Sequence, residues 1–364
     1  MGFGAVLGQS RNAGSLPTTS TGKRTARFSI GTSTNGWTAN DCDYLCDGTD
    51  DQVEINAAIQ ALPSGGGEIV ILDGTYNISA TILVNRDNVS LIGNGRNTQL
   101  KRNWNSSNDE GIVTLNADYC SIKGIYFYGK SSTSYNHSIY VKYSNYCIIN
   151  NNYIYSGRSK VLLTNSRYNI ISDNNCSSAY DGIVLTNTSS FNTIDNNIVG
   201  KIETNTSSDF NIISNNKNIG TNSSMTILSA NNTITGNNFN NGYAGVLLWD
   251  NATNNLVSGN TFCNNDYYGI SLSNHSSNNT IIGNFCNNNT KGGINCFLTS
   301  NNTIVGNSCF RGTGTSSDYT STQYTIHIDQ NSNNNLFACN NLLGKNYTTS
   351  GISTDNTFAN NKYN

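Results

Sequence analysis

A heptapeptide that recurs along most of the chain limits its fold more than any other feature. In its clearest form it reads Asn301-Asn302-Thr303-Ile304-Val305-Gly306-Asn307. Close copies are Asn278-Asn279-Thr280-Ile281-Ile282-Gly283-Asn284, Asn254-Asn255-Leu256-Val257-Ser258-Gly259-Asn260 and Asn231-Asn232-Thr233-Ile234-Thr235-Gly236-Asn237. The central apolar residue, the anchor of each copy, falls at Leu91, Ile122, Ile149, Ile171, Ile194, Ile213, Ile234, Val257, Ile281, Ile304, Phe337 and Phe358. Most neighbouring anchors are about 19–24 residues apart, a spacing that signals a solenoid. A solenoid grows by adding coils, so a length of 364 residues does not imply several cores.

The flanking residues keep phase with the anchors. Five residues after them runs an apolar column of Phe127, Ile154, Cys176, Val199, Phe239, Phe262, Cys286, Cys309 and Leu342. Asn218 interrupts it, which predicts a one-residue shift near Ile219. A second strand in each coil follows a glycine, as in Gly182-Ile183-Val184-Leu185, Gly245-Val246-Leu247-Leu248 and Gly269-Ile270-Ser271-Leu272. Alternation sends Ile183, Leu185, Val246, Leu248, Ile270, Leu272, Ile326 and Ile328 inward, and Val184 and Thr186 outward. Asn recurs three residues after the anchors and two before them. It tolerates the left-handed backbone of a sharp corner, and its amide can pair with the same amide one coil on. These residues are read as structure, not chemistry. The predicted fold class is all-β, a right-handed parallel β-helix of about twelve coils, roughly 55 Å long at ~4.8 Å per strand.

Bulk composition excludes several functions. Charged residues are 12% of the chain and the net charge is −2, so no basic surface exists to hold nucleic acid phosphates. No stretch approaches the ~18 apolar residues of a membrane span. The 10 Cys do not form a small disulfide framework. Several, Cys120, Cys147, Cys176, Cys286 and Cys309, sit at matching places in successive coils and read as a stack of buried thiols. Cys42 and Cys46 are close enough in sequence to pair, but no neighbouring His or Cys completes a zinc site. The first residues, Met1 to Gly8, lack the basic region and apolar run of a secretory signal. The expectation is either a removed signal or assembly inside a cell and release by another route.

Three segments follow in order. Residues 1–40 are polar and weakly patterned, an N-terminal arm or docking segment in which only Thr25 to Gly31 alternates like a strand. Residues 41–87 form a cap, and residues 88–364 the solenoid. In the cap, Thr49 and Gln52 predict a capping box, and Ile55, Ile59 and Leu62 share one helical face. Pro63 and Gly65-Gly66-Gly67 end that helix. The segment Asp47-Gly48-Thr49-Asp50-Asp51, then Ala58-Ile59, Gly65-Gly66-Gly67, the strand Ile69 to Leu72 and Gly74-Thr75-Tyr76 resembles the N-terminal cap of the pectate-lyase-like β-helix superfamily. Residues 25–62 are also similar to the start of tail-associated proteins of phages and prophages. The resemblance covers residues 41–80 closely and implies the fold; it is shared by tailspikes, pectin-active enzymes and epimerases, so it implies no single activity.

Pectin-active members of that superfamily use clustered carboxylates, alone or with calcium. Glu110 and Asp181 occupy similar places before a glycine but about three coils, roughly 14 Å, apart. Asp173 and Asp195 differ in register by one, and His137, His275 and His327 are scattered. Asp47, Asp50 and Asp51 belong to the cap motif, with a calcium site as the minority reading; no other cofactor is expected. The ligand-binding candidates are therefore aromatic. Tyr140, Lys142, Trp249 and Phe297 fall on outward phases of the Gly-led strands, with Val184 and Leu247 in the same strip. Tyr180, Tyr243, Tyr267 and Tyr268 lie at the turns before them, beside Asp181. Such a strip suits sugar rings or a subunit contact. The leading expectation is a non-enzymatic virion or tail appendage at the extracellular surface. It would be a homo-oligomer with a trimer favoured, held to other virion proteins through residues 1–40 and contacting host surface glycan. The alternatives are a polysaccharide lyase or hydrolase, and an adhesive or filament-forming cell-surface protein. Insertions around Trp104 to Asp109 and Arg311 to Thr322 are expected on the functional face.

Overall fold

Ile171, Ile194, Ile213 and Ile234 stand directly above one another as parallel strand partners, one per coil. This is the inner wall of a right-handed parallel β-helix, seen in a computed structural model that describes residues 26–130, 135–155, 157–176, 182–219, 222, 224–310, 324–329, 331–343, 348–350 and 355–363. Anchor strands and the short strands after them form a 20-stranded sheet, continued by a 4-stranded one. The Gly-led strands form a 12-stranded sheet from Ile82–Val84 to Thr348–Ser350, about 11 turns of the coil. The anchors from Leu91 to Phe337, the column five residues on and the inward residues of the Gly-led strands are all buried in one core. Each fully buried Ile contributes roughly 1.5–3 kcal/mol. The ten cysteines are unpaired, eight of them buried. Burial pushes the Cys176 and Cys296 thiols up to about 12, which leaves them inert packing groups.

The Asn columns form ladders. Asn174 Nδ2 donates to Asn197 Oδ1 at 3.0 Å, and the Asn174 backbone N–H donates to the same oxygen at 3.0 Å. Its other amide hydrogen reaches back to Ile149 O at 2.9 Å, so each Asn links three coils. The ladder residues themselves are not left-handed, a correction to the expected reason for their presence. The left-handed residues are their neighbours, Asn151, Asp173, Asn196 and Asn215 on one corner and Asn231, Asn254, Asn278 and Asn301 on another. The shift expected at Asn218 is also absent. Asn218 pairs in register with Val199 and satisfies its buried amide on Asn240 O and N, both at 2.7 Å.

The N-terminal end is closed by the cap. Ala26–Thr32, assigned from sequence to the arm, pairs through Ala26 to Ile30 with Gly67–Ile71 and through its last residues with Tyr44–Cys46, and is already a rung of the helix. Residues 1–25 lie outside the described residues. The helix Gln52–Ala61 buries Ile55, Ala58 and Ile59. Its Asn56 accepts from the Leu83 backbone N–H at 2.9 Å and donates to Thr81 O at 3.2 Å, covering the open edge of the 12-stranded sheet. The expected capping box does not form: Gln52 instead clasps Ser79, through the Ser79 N–H at 3.0 Å and the Ser79 hydroxyl at 3.1 Å. Asp51 accepts from Gly48 N at 2.8 Å and Asn77 N at 2.6 Å, which ties the turn to the next strand.

Candidate functional site

The outer face of the 12-stranded sheet carries one column in register: Thr114, Tyr140, Leu162, Val184, Glu203, Thr226, Leu247, Ser271, Asn295 and His327. Tyr140, Leu162 and Val184 pack on one another outside the main core and are only 5–7% exposed. They point outward as alternation requires, but adjacent rungs cover one another, so they are not the open strip the sequence suggested. Beside them lies a groove of 560 Å³ lined by Asp109, His137, Tyr140, Arg158, Lys201 and Glu203, among others.

The insertion before Glu110 builds one wall of this groove. Arg102 is buried under it, its guanidinium 3.7 Å from the Trp104 ring centroid. It donates to Trp104 O at 3.2 Å, Glu110 O at 3.1 Å and His137 O at 2.9 Å, and burial pushes its pKa down to about 10. Asn136 Oδ1 accepts from Ser106 N at 2.9 Å and holds the loop down. Asp109 is thereby brought to His137, with 3.1 Å between Oδ1 and Nε2. The His137 side chain is 3% exposed and its Nδ1 is buried with no hydrogen-bond partner. Burial lowers its pKa more than the Asp109 bond raises it, so the ring is neutral at pH 7. The Tyr140 ring lies 6.0 Å from the His137 ring, and burial raises the Tyr140 pKa, which keeps the phenol protonated. Lys142 Nζ is 6.0 Å from the Tyr140 ring centroid, and Lys201 pairs with Glu203. The neutral imidazole donates its Nε2–H to Asp109, so the groove offers a carboxylate fixed by that bond, a protonated phenol, and cations for an acidic ligand.

A second groove, of 330 Å³, opens further along the same face. It gathers Tyr243, Trp249, Tyr267, Tyr268 and Phe297 with Leu247, Ser271, Asn295 and His327. Tyr243 and Tyr267 stack at 5.3 Å, and Tyr268 meets Tyr267 edge-on at 4.8 Å. Asn295 donates to Ser271 Oγ at 3.0 Å, so its Oδ1 faces His327 Nδ1 at 2.7 Å. That nitrogen carries the hydrogen, leaving Nε2 as an acceptor.

The expected candidates thus divide: Tyr140 lines the first groove, with Lys142 near its ring but outside the lining, and Tyr243, Trp249, Tyr267, Tyr268 and Phe297 line the second. Tyr180 and Asp181 lie outside the described residues, as does the Arg311 to Thr322 insertion. Sequence reasoning missed Asp109, His137, Arg158, Lys201, Glu203 and His327 as site residues. The insertion ending at Asp109 was the available signal. Asp109 is bonded to His137 on the Tyr140 strand, and Glu203 stands three rungs, ~14 Å, from that strand, a carboxylate spacing that does not suit a paired-acid hydrolase.

A family model described as "Periplasmic copper-binding protein (NosD)" matches residues 198–364, less than half of the chain. Among the described residues the one group of three His, Cys, Asp or Glu with converging ligand atoms is Cys46, Asp51 and Glu54, outside that segment. No such group lies among the described residues of the matched segment, and Asp51 already spends both oxygens on backbone N–H groups. No curated protein matches the chain significantly. Solved structures do. The mannuronan C-5 epimerase A-module of Azotobacter vinelandii AlgE6 aligns over 87% of this chain and 96% of its own at 17% identity, with a TM-score of 0.56. The Dettilon tailspike aligns over 86% and 66% at 16% identity and 0.57. The catalytic unit of a GH87 α-1,3-glucanase from Streptomyces thermodiastaticus aligns over 86% and 65% at 13% identity and 0.65. What the chain shares with all three is the parallel β-helix. No described helix is long and apolar enough to cross a membrane.

Proposed function

We propose that this chain binds an acidic polysaccharide along the outer face of its 12-stranded sheet and cleaves it by β-elimination in the first groove. The observation that carries this reading is the convergence of Asp109, His137 and Tyr140 beside Arg158 and Lys201. In this scheme the cations hold the uronate carboxylate. Asp109, held by the His137 Nε2–H, takes the proton on C5; the C4–O4 bond breaks, and the Tyr140 hydroxyl protonates the departing oxygen. The products are a 4,5-unsaturated uronate and a new chain end. The likeness to a mannuronan epimerase supports an acidic substrate. The test is incubation with a panel of polyuronates and neutral glucans, read by ultraviolet absorbance of the unsaturated product. Product from a uronate polymer alone is expected, with Tyr140→Phe lowering kcat about 10²–10⁴-fold. Release of reducing ends without unsaturation would sink it.

A second reading is favoured by the acid-free, aromatic second groove and by the tailspike likeness. It makes the chain a non-catalytic glycan-binding appendage of a virion or other extracellular surface. Binding to the same panel with no product at all would select it.

A further inference from the structure

A row of exposed rings on another corner of the coil belongs to neither groove. Three residues before the anchor, every coil from Leu91 to Phe337 turns through a left-handed residue. In six coils it is Asn, at 88, 231, 254, 278, 301 and 334. In the five consecutive coils between Asn88 and Asn231 it is Tyr119, Tyr146, Tyr168, Phe191 and Phe210, with φ between 58 and 61°. Bulky side chains are uncommon in this conformation. The Asn-bearing coils show that the corner itself does not require a ring.

The five rings stack in sequence, centroids 5.0, 5.1, 5.2 and 5.1 Å apart and within 15° of parallel. Each residue is 41–57% exposed. Outward-pointing Ile148, Ile170 and Ile212 on the adjoining strands, 41–46% exposed, widen the row. With roughly 200 Å² per aromatic side chain, the exposed face is on the order of 700 Å². That is near the ~800 Å² per partner of a standard protein interface and above the usual largest patch of a monomer. The ring faces are turned toward one another, so the row presents edges outward and offers no open face for a sugar. None of the eight residues is Asp, Glu, Lys, Arg or His.

We infer that a second copy of this chain packs along the row, rod beside rod. An identical row matches it in length and chemistry. Because the row is centred on Tyr168, a two-fold axis between the two Tyr168 rings, perpendicular to the row, sets each end of one row against the opposite end of the other. The inference is independent of the polysaccharide grooves, which lie on the 12-stranded sheet.

The test is sedimentation velocity and light scattering of the full chain over a concentration series. The expected wild-type mass is at least twice 39.3 kDa. The triple variant Y146N/Y168N/F191N takes the residue that the other coils carry at this corner, so its circular dichroism should be unchanged and its mass that of one chain. The single variant Tyr168→Asn should weaken association at least tenfold. A wild type that stays monomeric throughout, or a triple variant that still associates, overturns the inference. A monomeric wild type whose polysaccharide binding is lost in the triple variant overturns it in favour of a glycan on the row. Turnover of polyuronate, measured in parallel, reports on the groove alone.

Discussion

His137 is subject to two opposed influences: burial lowers its pKa below 6.5, and the Asp109 carboxylate raises it by less. The unfolded chain therefore takes up this proton at a higher pH than the folded one. Across the window below pH 6.5 the unfolded state binds more protons, so stability falls as pH drops through it. Half-buried His327 is shifted the same way and adds to the loss. Asp109→Asn removes the raising influence, so the His137 pKa should fall further, and with the proton acceptor gone any turnover should be lost. An NMR titration of the ring checks this; an unmoved or raised value would mean that Asp109 does not hold the imidazole. None of this was legible in sequence. Asp109 and His137 are joined by an insertion of irregular length, and the repeat phase says nothing about where a loop residue lands.

The coil element depends on two kinds of glycine that look alike in sequence. Gly245 opens a Gly-led strand at the corner of the wall, where an added Cβ would lie 2.5 Å from Phe262 Cβ and would also strike Gly269 O. Gly259 turns an outer corner with φ 62° and open space around it. Gly245→Ala should therefore cost at least about 2 kcal/mol by overpacking. Gly259→Asn, which copies Asn196 and Asn215 at the same corner, should stay within ~0.5 kcal/mol. Urea midpoints of the two variants against wild type decide this, and equal shifts would contradict the assignment of inside and outside. The apolar columns were legible because each strand residue keeps one phase over many coils. Asn218 misled because a polar side chain at a core phase looks like a slip, whereas its amide bonds to Asn240 across the rung.

At the scale of the whole molecule, the two grooves share one face of one rod. From the Tyr140 rung to the Asn295 rung there are seven strand spacings, ~34 Å, long enough for several sugar units. If one polysaccharide chain occupies both, affinity should rise with oligosaccharide length until that span is filled. Trp249→Ala, in the second groove, should then weaken long oligosaccharides several-fold and leave short ones unchanged. Calorimetric titration with a length series checks it, and equal weakening at all lengths would separate the two grooves.

The repeat alone determined that the chain winds as a parallel solenoid, which residues line its wall and that Asn holds its bends. Periodic burial leaves a periodic trace, and every coil repeats the same measurement. Only the tertiary structure decided which side chains meet across coils. Asp109 reaches His137 from an insertion, and the candidate aromatics divide between two grooves. Five corner rings form one continuous face because stacking at strand spacing joins residues about 20 positions apart, a distance that no local pattern records.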